Sequence, residues 1–420
     1  MHDASETGAE SITRRTFRLE MVRALPVGII ETAATTFAVL IAIRWFQAGP
    51  EAKATVQAAA RGGLLASIFV VPLLYKLRFR APVLAGWLHF MAGVSFATPA
   101  IFSDSLPVFI SGVGAGMFFF AVSIPLFTQI YRYNYPENKR GRLFSNTIVL
   151  RAAVSIMFGF GAGAFLEANL DGFPRLLYIF SICSFASAAL TWTMPDRRMD
   201  LKNGGKSSGG LWRAFAWVGR DRDFRKLLVA WMLVGTGNLM ALSVYVEYLA
   251  NPEHGFDYDS SLVALLTVAV PVTAKMISTV FWGRLFDRIN FFLLRVILNM
   301  VFTSAIICVF VGSGLGWFYV GFFLHGVALG GGNVAWSLWV TKLAPPDRVA
   351  EYMSVHTFLT GVRGVGAAYL GFYLIGVIGG PIFGGLCAAI ITLSTILILP
   401  RARLERARRH VAPLSDDVDV

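Results

Sequence analysis

Charge is what this sequence has least of. Only 15% of its 420 residues are Asp, Glu, Lys or Arg, against about a quarter in an average soluble domain. With 56% of the chain hydrophobic, that shortage excludes both a soluble globular protein and a disordered one. An integral membrane protein is left. Cysteine is nearly absent as well: Cys183, Cys308 and Cys387 fall singly inside apolar runs, without metal or redox spacing, and read as small core residues. No cofactor or metal is therefore expected. There is no Gly-x-Ser-x-Gly elbow, no His-Glu-x-x-His and no cysteine-histidine cluster, so an enzyme is not expected either. Gly205-Lys206-Ser207 lacks the first glycine and the preceding strand of a phosphate loop, which argues against direct ATP drive. Met1–Arg23 is polar throughout and shows no cleavable signal pattern. Acidic residues are the scarcer sign, giving a net charge of +12. Most of the excess lies in loops and tails, where it marks topology rather than a nucleic-acid partner.

What the sequence does contain is long apolar runs. About 20 helical residues cross a bilayer. Twelve runs meet that requirement, over 24–46, 56–76, 82–103, 107–131, 143–166, 173–194, 226–250, 261–282, 291–313, 316–342, 352–377 and 381–399. An even count puts both termini on one side. Lys and Arg are retained in cytoplasmic loops, and here they gather in the N-terminal segment, at Lys76 to Arg80, at Lys139 to Arg142, at Arg288 and Arg348, and in the tail from Arg401. The opposite loops carry mainly Glu51, Asp104, Asp171, Glu253, Asp257 and Asp259. A multi-pass protein of the cell membrane with both termini cytoplasmic is the expectation. Between the sixth and seventh runs lies a Gly- and Ser-rich linker. The expected divisions are a tail over 1–23, a six-helix half over 24–194, a linker with an interfacial helix over 195–225, a second half over 226–399 and a tail over 400–420. An internal repeat agrees. Pro136-Glu137-Asn138-Lys139-Arg140-Gly141-Arg142 opens the fifth run much as Pro345-Pro346-Asp347-Arg348 opens the eleventh.

Gly283-Arg284-Leu285-Phe286-Asp287-Arg288, in the short charged turn 283–290, carries a Gly-x-Leu-x-Asp-Arg pattern. It resembles the signature of the major facilitator superfamily between its eighth and ninth helices. That resemblance implies an all-α fold of two pseudo-symmetric six-helix halves. It also makes Gly283, Asp287 and Arg288, with Arg140 and Arg142 across the halves, candidate gating residues. Asp287 would latch the cytoplasmic side against that basic cluster and favour an outward-open state. The first half has no acid at the matching place, between Leu74 and Arg80.

Ionisable groups deep in a span each cost about 2.5 to 3.5 kcal/mol at the bilayer centre and mark partners or cavities. Glu31, Arg61, Arg151, Lys275 and Arg363 are such groups. In the resembling family the second, fifth, eighth and eleventh helices wall the central cavity, so four cations against one carboxylate imply a small anionic or amphipathic substrate. Asn238, Asn333 and Trp336 are candidate contacts from the central spans, with Gly330 to Gly332 expected to break or bend the tenth helix. Glu31 reads equally as a proton carrier or as a fixed partner of Arg151 or Lys275. The resulting expectation is a secondary transporter, monomeric, with membrane lipids as its surroundings. A lipid flippase of the same fold and a transporter-like sensor or scaffold without transport are the alternatives.

Overall fold

The computed structural model describes residues 2–77, 79–195, 211–343 and 349–411, and for some residues, Asp287 among them, the main chain alone. Among the described residues, eleven helices are long and apolar enough to cross a membrane, and Pro50–Leu77 completes the twelve. Span 1 runs from His2 through a π turn at Ala33–Phe37 to Arg44. Span 2 is Pro50–Leu77, span 3 Ala81–Ile101, span 4 Leu106–Val122 continued by Ile124–Asn134, span 5 Glu137–Ala168 and span 6 Phe173–Trp192. A short helix, Leu211–Arg220, precedes span 7 at Arg222–Ala250. Span 8 starts at Ser260, passes a second π turn at Leu265–Ala269 and ends at Arg288. Spans 9 to 12 are Phe291–Phe310, Leu315–Leu343, Val349–Ile378 and Gly380–Val411.

Local chemistry explains most of these boundaries. Pro lacks an N–H and pre-sets φ, which suits the first helical turn; spans 3, 4 and 6 carry it there. Pro125 also explains the break at Ser123, because it cannot donate back to span 4's upper segment. Span 9 is capped by Asn290, whose side chain accepts from the Phe292 amide at 2.6 Å.

Pairing of the spans exposes the duplication. Spans 1 and 5, 2 and 4, and 3 and 6 pack together, and the same pairs recur six spans later as 7 and 11, 8 and 10, and 9 and 12. Across the halves span 2 meets span 11 and span 5 meets span 8. A two-fold axis along the membrane normal exchanges those two contacts, as expected of parallel repeats.

Three expectations change. The stretch read as a polar tail, 1–23, is helical from His2 and continues into span 1, with Glu20 and Arg23 buried. The charged turn over 283–290 is largely the last turn of span 8, leaving only Ile289 and Asn290 to connect. Gly330 to Gly332 neither break nor interrupt span 10, which stays α-helical throughout. A Cβ at Gly330 would lie 2.5 Å from Ser278 Oγ, and one at Gly331 2.4 Å from Leu298, so these glycines let span 10 press on spans 8 and 9.

Candidate functional site

The ionisable residues inside the bundle fall into two groups on opposite walls. On the first wall, Ser155 of span 5 donates to Gly28 O of span 1 at 2.7 Å. Close approach is possible because residue 28 is glycine; a Cβ there would sit 2.6 Å from Arg151 O. Span 5 is thus pressed against span 1, and the Arg151 guanidinium reaches the Glu31 carboxylate as an ion pair. Both side chains keep access to solvent, 26% and 40% exposed, although they lie in mid-span. Lys275 of span 8 is near enough for its charge to act on Arg151. One turn beyond Glu31 the two π turns meet, where Thr36 and Thr267 share a hydrogen bond of 2.8 Å across the halves. π turns are rare and recur at functional sites. Losing that bond, as Thr36→Val, is expected to change transport several-fold while lowering stability by about 1 kcal/mol, checked by uptake and thermal unfolding.

On the second wall, Arg363 of span 11 donates to Trp231 O of span 7. Its guanidinium lies where a side chain of residue 235 would begin: a Cβ on Gly235 would be 2.0 Å from Arg363 Cζ. Arg61 of span 2 runs alongside Gly364, its stem 3.1 Å from the Cβ position. Arg295 of span 9 stacks on the Trp231 ring at 4.1 Å, and His356 faces the same ring at 5.3 Å. Among the described residues, no carboxylate lies at ion-pair distance from Arg61, Arg295, Arg363 or Lys275.

The other expected contacts are dispersed. The Asn238 amide oxygen in span 7 is buried without a hydrogen-bond partner. Trp336 packs its ring against His356 at 5.7 Å, which joins it to the second wall, whereas Asn333 is exposed. His89 is structural, bridging Ser187 at 2.8 Å and Ser123 at 2.9 Å.

Of the gating residues, the Asp287 side chain lies outside the described residues. Arg140 turns toward the end of span 4, donating to Arg132 O at 3.0 Å and Tyr135 O at 3.3 Å. Arg142 and Arg288 are exposed, and Gly283 has open space around its Cβ position.

Sequence reasoning missed the strongest inter-half contacts, which lie on the face remote from the chain ends, here the far face. Lys53 of span 2 meets Glu247 of span 7 at 2.6 Å, with the two side chains 6% and 4% exposed. Asn251 donates to the same carboxylate oxygen at 2.7 Å, and His254 approaches it at 3.5 Å. Beside this pair, Arg44 donates to Tyr258 O and lies 3.4 Å from Asp257 and 3.7 Å from Glu167. Glu167 in turn accepts from the Ser260 amide at 2.7 Å, tying span 5 to span 8. Among the described residues, every ion pair joining the halves lies at this face, which ties them together across the far mouth. The available signal was weak: Glu247 is near a span end, and Lys53 falls in what reads as a loop.

A second missed cluster holds the opposite end of span 1. Arg23 donates to Glu20 at 2.7 and 2.9 Å, Tyr131 donates to Glu20 at 2.7 Å, and the guanidinium lies 3.8 Å from the centre of the Phe127 ring. Arg23→Met would leave Glu20 buried without its cation and is expected to destabilise the protein by about 3 to 5 kcal/mol. Joint replacement with Glu20→Leu should recover most of that, read as thermal unfolding in detergent.

An apolar cavity of about 560 Å³ lies between spans 5 and 6, reaching from Val154 to Arg175. Exposed Met157 and Ile179 line it, so it opens sideways, where acyl chains would be. It is separate from both charged walls.

An all-α bundle of two six-span halves, with charged groups on its inner walls, defines a membrane carrier fold. The sequence matches the Major Facilitator Superfamily over residues 34–368. The chain belongs to that superfamily. A mutant of the nucleoside transporter NupG superposes with a TM-score of 0.73 at 13% identity, covering 93% of this chain and 99% of that one. A D-xylose-proton symporter superposes at 0.64 and 13% identity, over 92% and 96% of the two chains. The xylose transporter XylE from E. coli, in a partially occluded inward-open conformation, gives 0.64 at 13% identity over 98% and 99%. No curated protein sequence matches.

Proposed function

We propose that the protein is a secondary active transporter that carries a small, negatively charged solute by alternating access, with both termini in the cytoplasm. The observation that supports this most is the excess, among the described residues, of guanidinium and ammonium groups inside the bundle over carboxylates. In low dielectric such charges attract an anion far more strongly than water allows. The basic tails and loops support the orientation. With the halves tied together across the far mouth, the described conformation then corresponds to a carrier closed on the outside.

Glu31 fits this scheme as the partner of Arg151. An anion approaching Arg151 competes with the carboxylate, and a Glu31 that has lost its cation takes up a proton more readily. Solute and proton then travel together. In vesicles, Glu31→Gln is expected to abolish accumulation driven by a pH gradient while retaining exchange of solute for solute. Normal gradient-driven accumulation in that variant would remove the carboxylate from the mechanism. Binding of anions with no movement in either assay would mark a sensor rather than a carrier.

A further inference from the structure

The two charged walls differ in one respect that bears on the solute. On the first, Glu31 already compensates Arg151, leaving Lys275 alone. On the second, Arg61 and Arg363 come from opposite halves, adjoin each other through Gly364 and, among the described residues, meet no carboxylate at ion-pair distance. We propose that Arg61 and Arg363 together form the seat for a doubly charged oxyanion, of the phosphate and phosphate-ester class. This rests on the anion-transport reading and narrows it.

Charge and geometry both point that way. A buried ion without a partner costs several kcal/mol. One carboxylate would leave one of the two guanidiniums uncompensated, whereas a dianion neutralises both. A guanidinium presents its donors as a planar fork. Arg363 spends one Nη on Trp231 O, and its Nε is buried without a hydrogen-bond partner. Two forks from different helices, near enough for their charges to act on one another, suit a tetrahedral group with three terminal oxygens better than a planar group with two.

The surroundings fix this seat. Gly235 leaves the notch that the Arg363 guanidinium fills. Trp231 supplies the carbonyl that orients Arg363 and is itself held by Arg295 stacked on its ring. Arg295 is close enough to Arg363 for the two charges to act on one another, which adds to the positive field. The seat is assembled only where spans 2 and 11 meet, so an anion held there joins the two halves.

The test uses the full-length protein in neutral-lipid nanodiscs, titrated at constant ionic strength with inorganic phosphate, phenyl phosphate or acetate, with thermal unfolding and calorimetry as readouts. Phosphate and phenyl phosphate are expected to stabilise saturably, acetate not. Arg61→Lys and Arg363→Lys keep the charge but lose the fork, and each is expected to weaken phosphate binding at least tenfold without changing the unligated unfolding temperature. A parallel set of nanodiscs containing phosphatidate separates the sources: stabilisation by phosphatidate but by neither soluble phosphate assigns the group to a lipid headgroup. Equal stabilisation by phosphate and acetate, or phosphate binding unchanged in both Lys variants, overturns the seat. If instead acetate binds and is lost in Lys275→Gln alone, the seat fails while anion transport stands. Phosphate bound at the two arginines but not carried in proteoliposomes leaves the seat and overturns the transport reading.

Discussion

Glu247→Gln is expected to open the far mouth and all but stop transport. In the closed arrangement the variant leaves Lys53 buried without its carboxylate, and removing one partner of a buried pair costs about 3 to 5 kcal/mol. In the open arrangement the same Lys reaches water, so the penalty falls on one state only. At 1.4 kcal/mol per tenfold, the balance between the two states shifts by roughly two to four orders of magnitude. A single cysteine placed on the cavity side of span 7 should then react with an impermeant thiol reagent from the far side at least tenfold faster. Lys53→Met should do the same, since it leaves Glu247 with one oxygen already lacking a partner. Replacing both residues by apolar ones should restore closure, because a well-packed apolar pair is often as stable as the ion pair it replaces. Unchanged labelling in both single variants would show that Arg44 and its partners hold the mouth alone.

Gly235→Ala is expected to abolish high-affinity anion binding in a protein that folds as well as the parent. The new Cβ would sit 2.0 Å from Arg363 Cζ and 2.2 Å from an Nη, which the side chain relieves by swinging away. Helix propensity favours Ala over Gly by about 1 kcal/mol, so the unfolding temperature should hold or rise while affinity falls at least tenfold. Gly237→Ala is the contrast. There the Cβ would lie 2.7 Å from Cys387 O, a backbone atom that cannot swing, and a loss of stability is expected. If Gly235→Ala binds anions normally, the Arg363 guanidinium is not held where the second wall needs it.

The sequence made the spans, their number and the duplication legible, because a run of about 20 apolar residues has few alternatives in a chain this poor in charge. It also marked Arg61, Arg151, Lys275 and Arg363 as residues needing an explanation. What it could not supply was which charge meets which. Glu31 had two candidate partners, and the choice of Arg151 depends on the close approach at Gly28, a three-dimensional fact. Lys53 and Glu247 were not seen as a pair because one reads as a loop residue and the other lies near a span end, where a charge ordinarily meets water at little cost. Only the docking of span 2 against the far end of span 7 buries them. Arg295 and Arg23 were hidden in the same way: a basic residue one turn from a loop looks like a topology marker, and here each lies over an aromatic ring inside the bundle.

Arg61 and Arg363, two guanidiniums that meet no described carboxylate, make this carrier an electrical device. Moving about two elementary charges through the whole of a 100 mV membrane potential changes the energy by about 4.6 kcal/mol, and even a fraction of that depth alters a rate many-fold. The empty protein, turning from one side to the other, carries those charges with it. The protein holding a dianion carries two fewer. Voltage therefore acts more strongly on the empty return than on the loaded crossing, so net uptake should vary more steeply with membrane potential than exchange of solute for solute does.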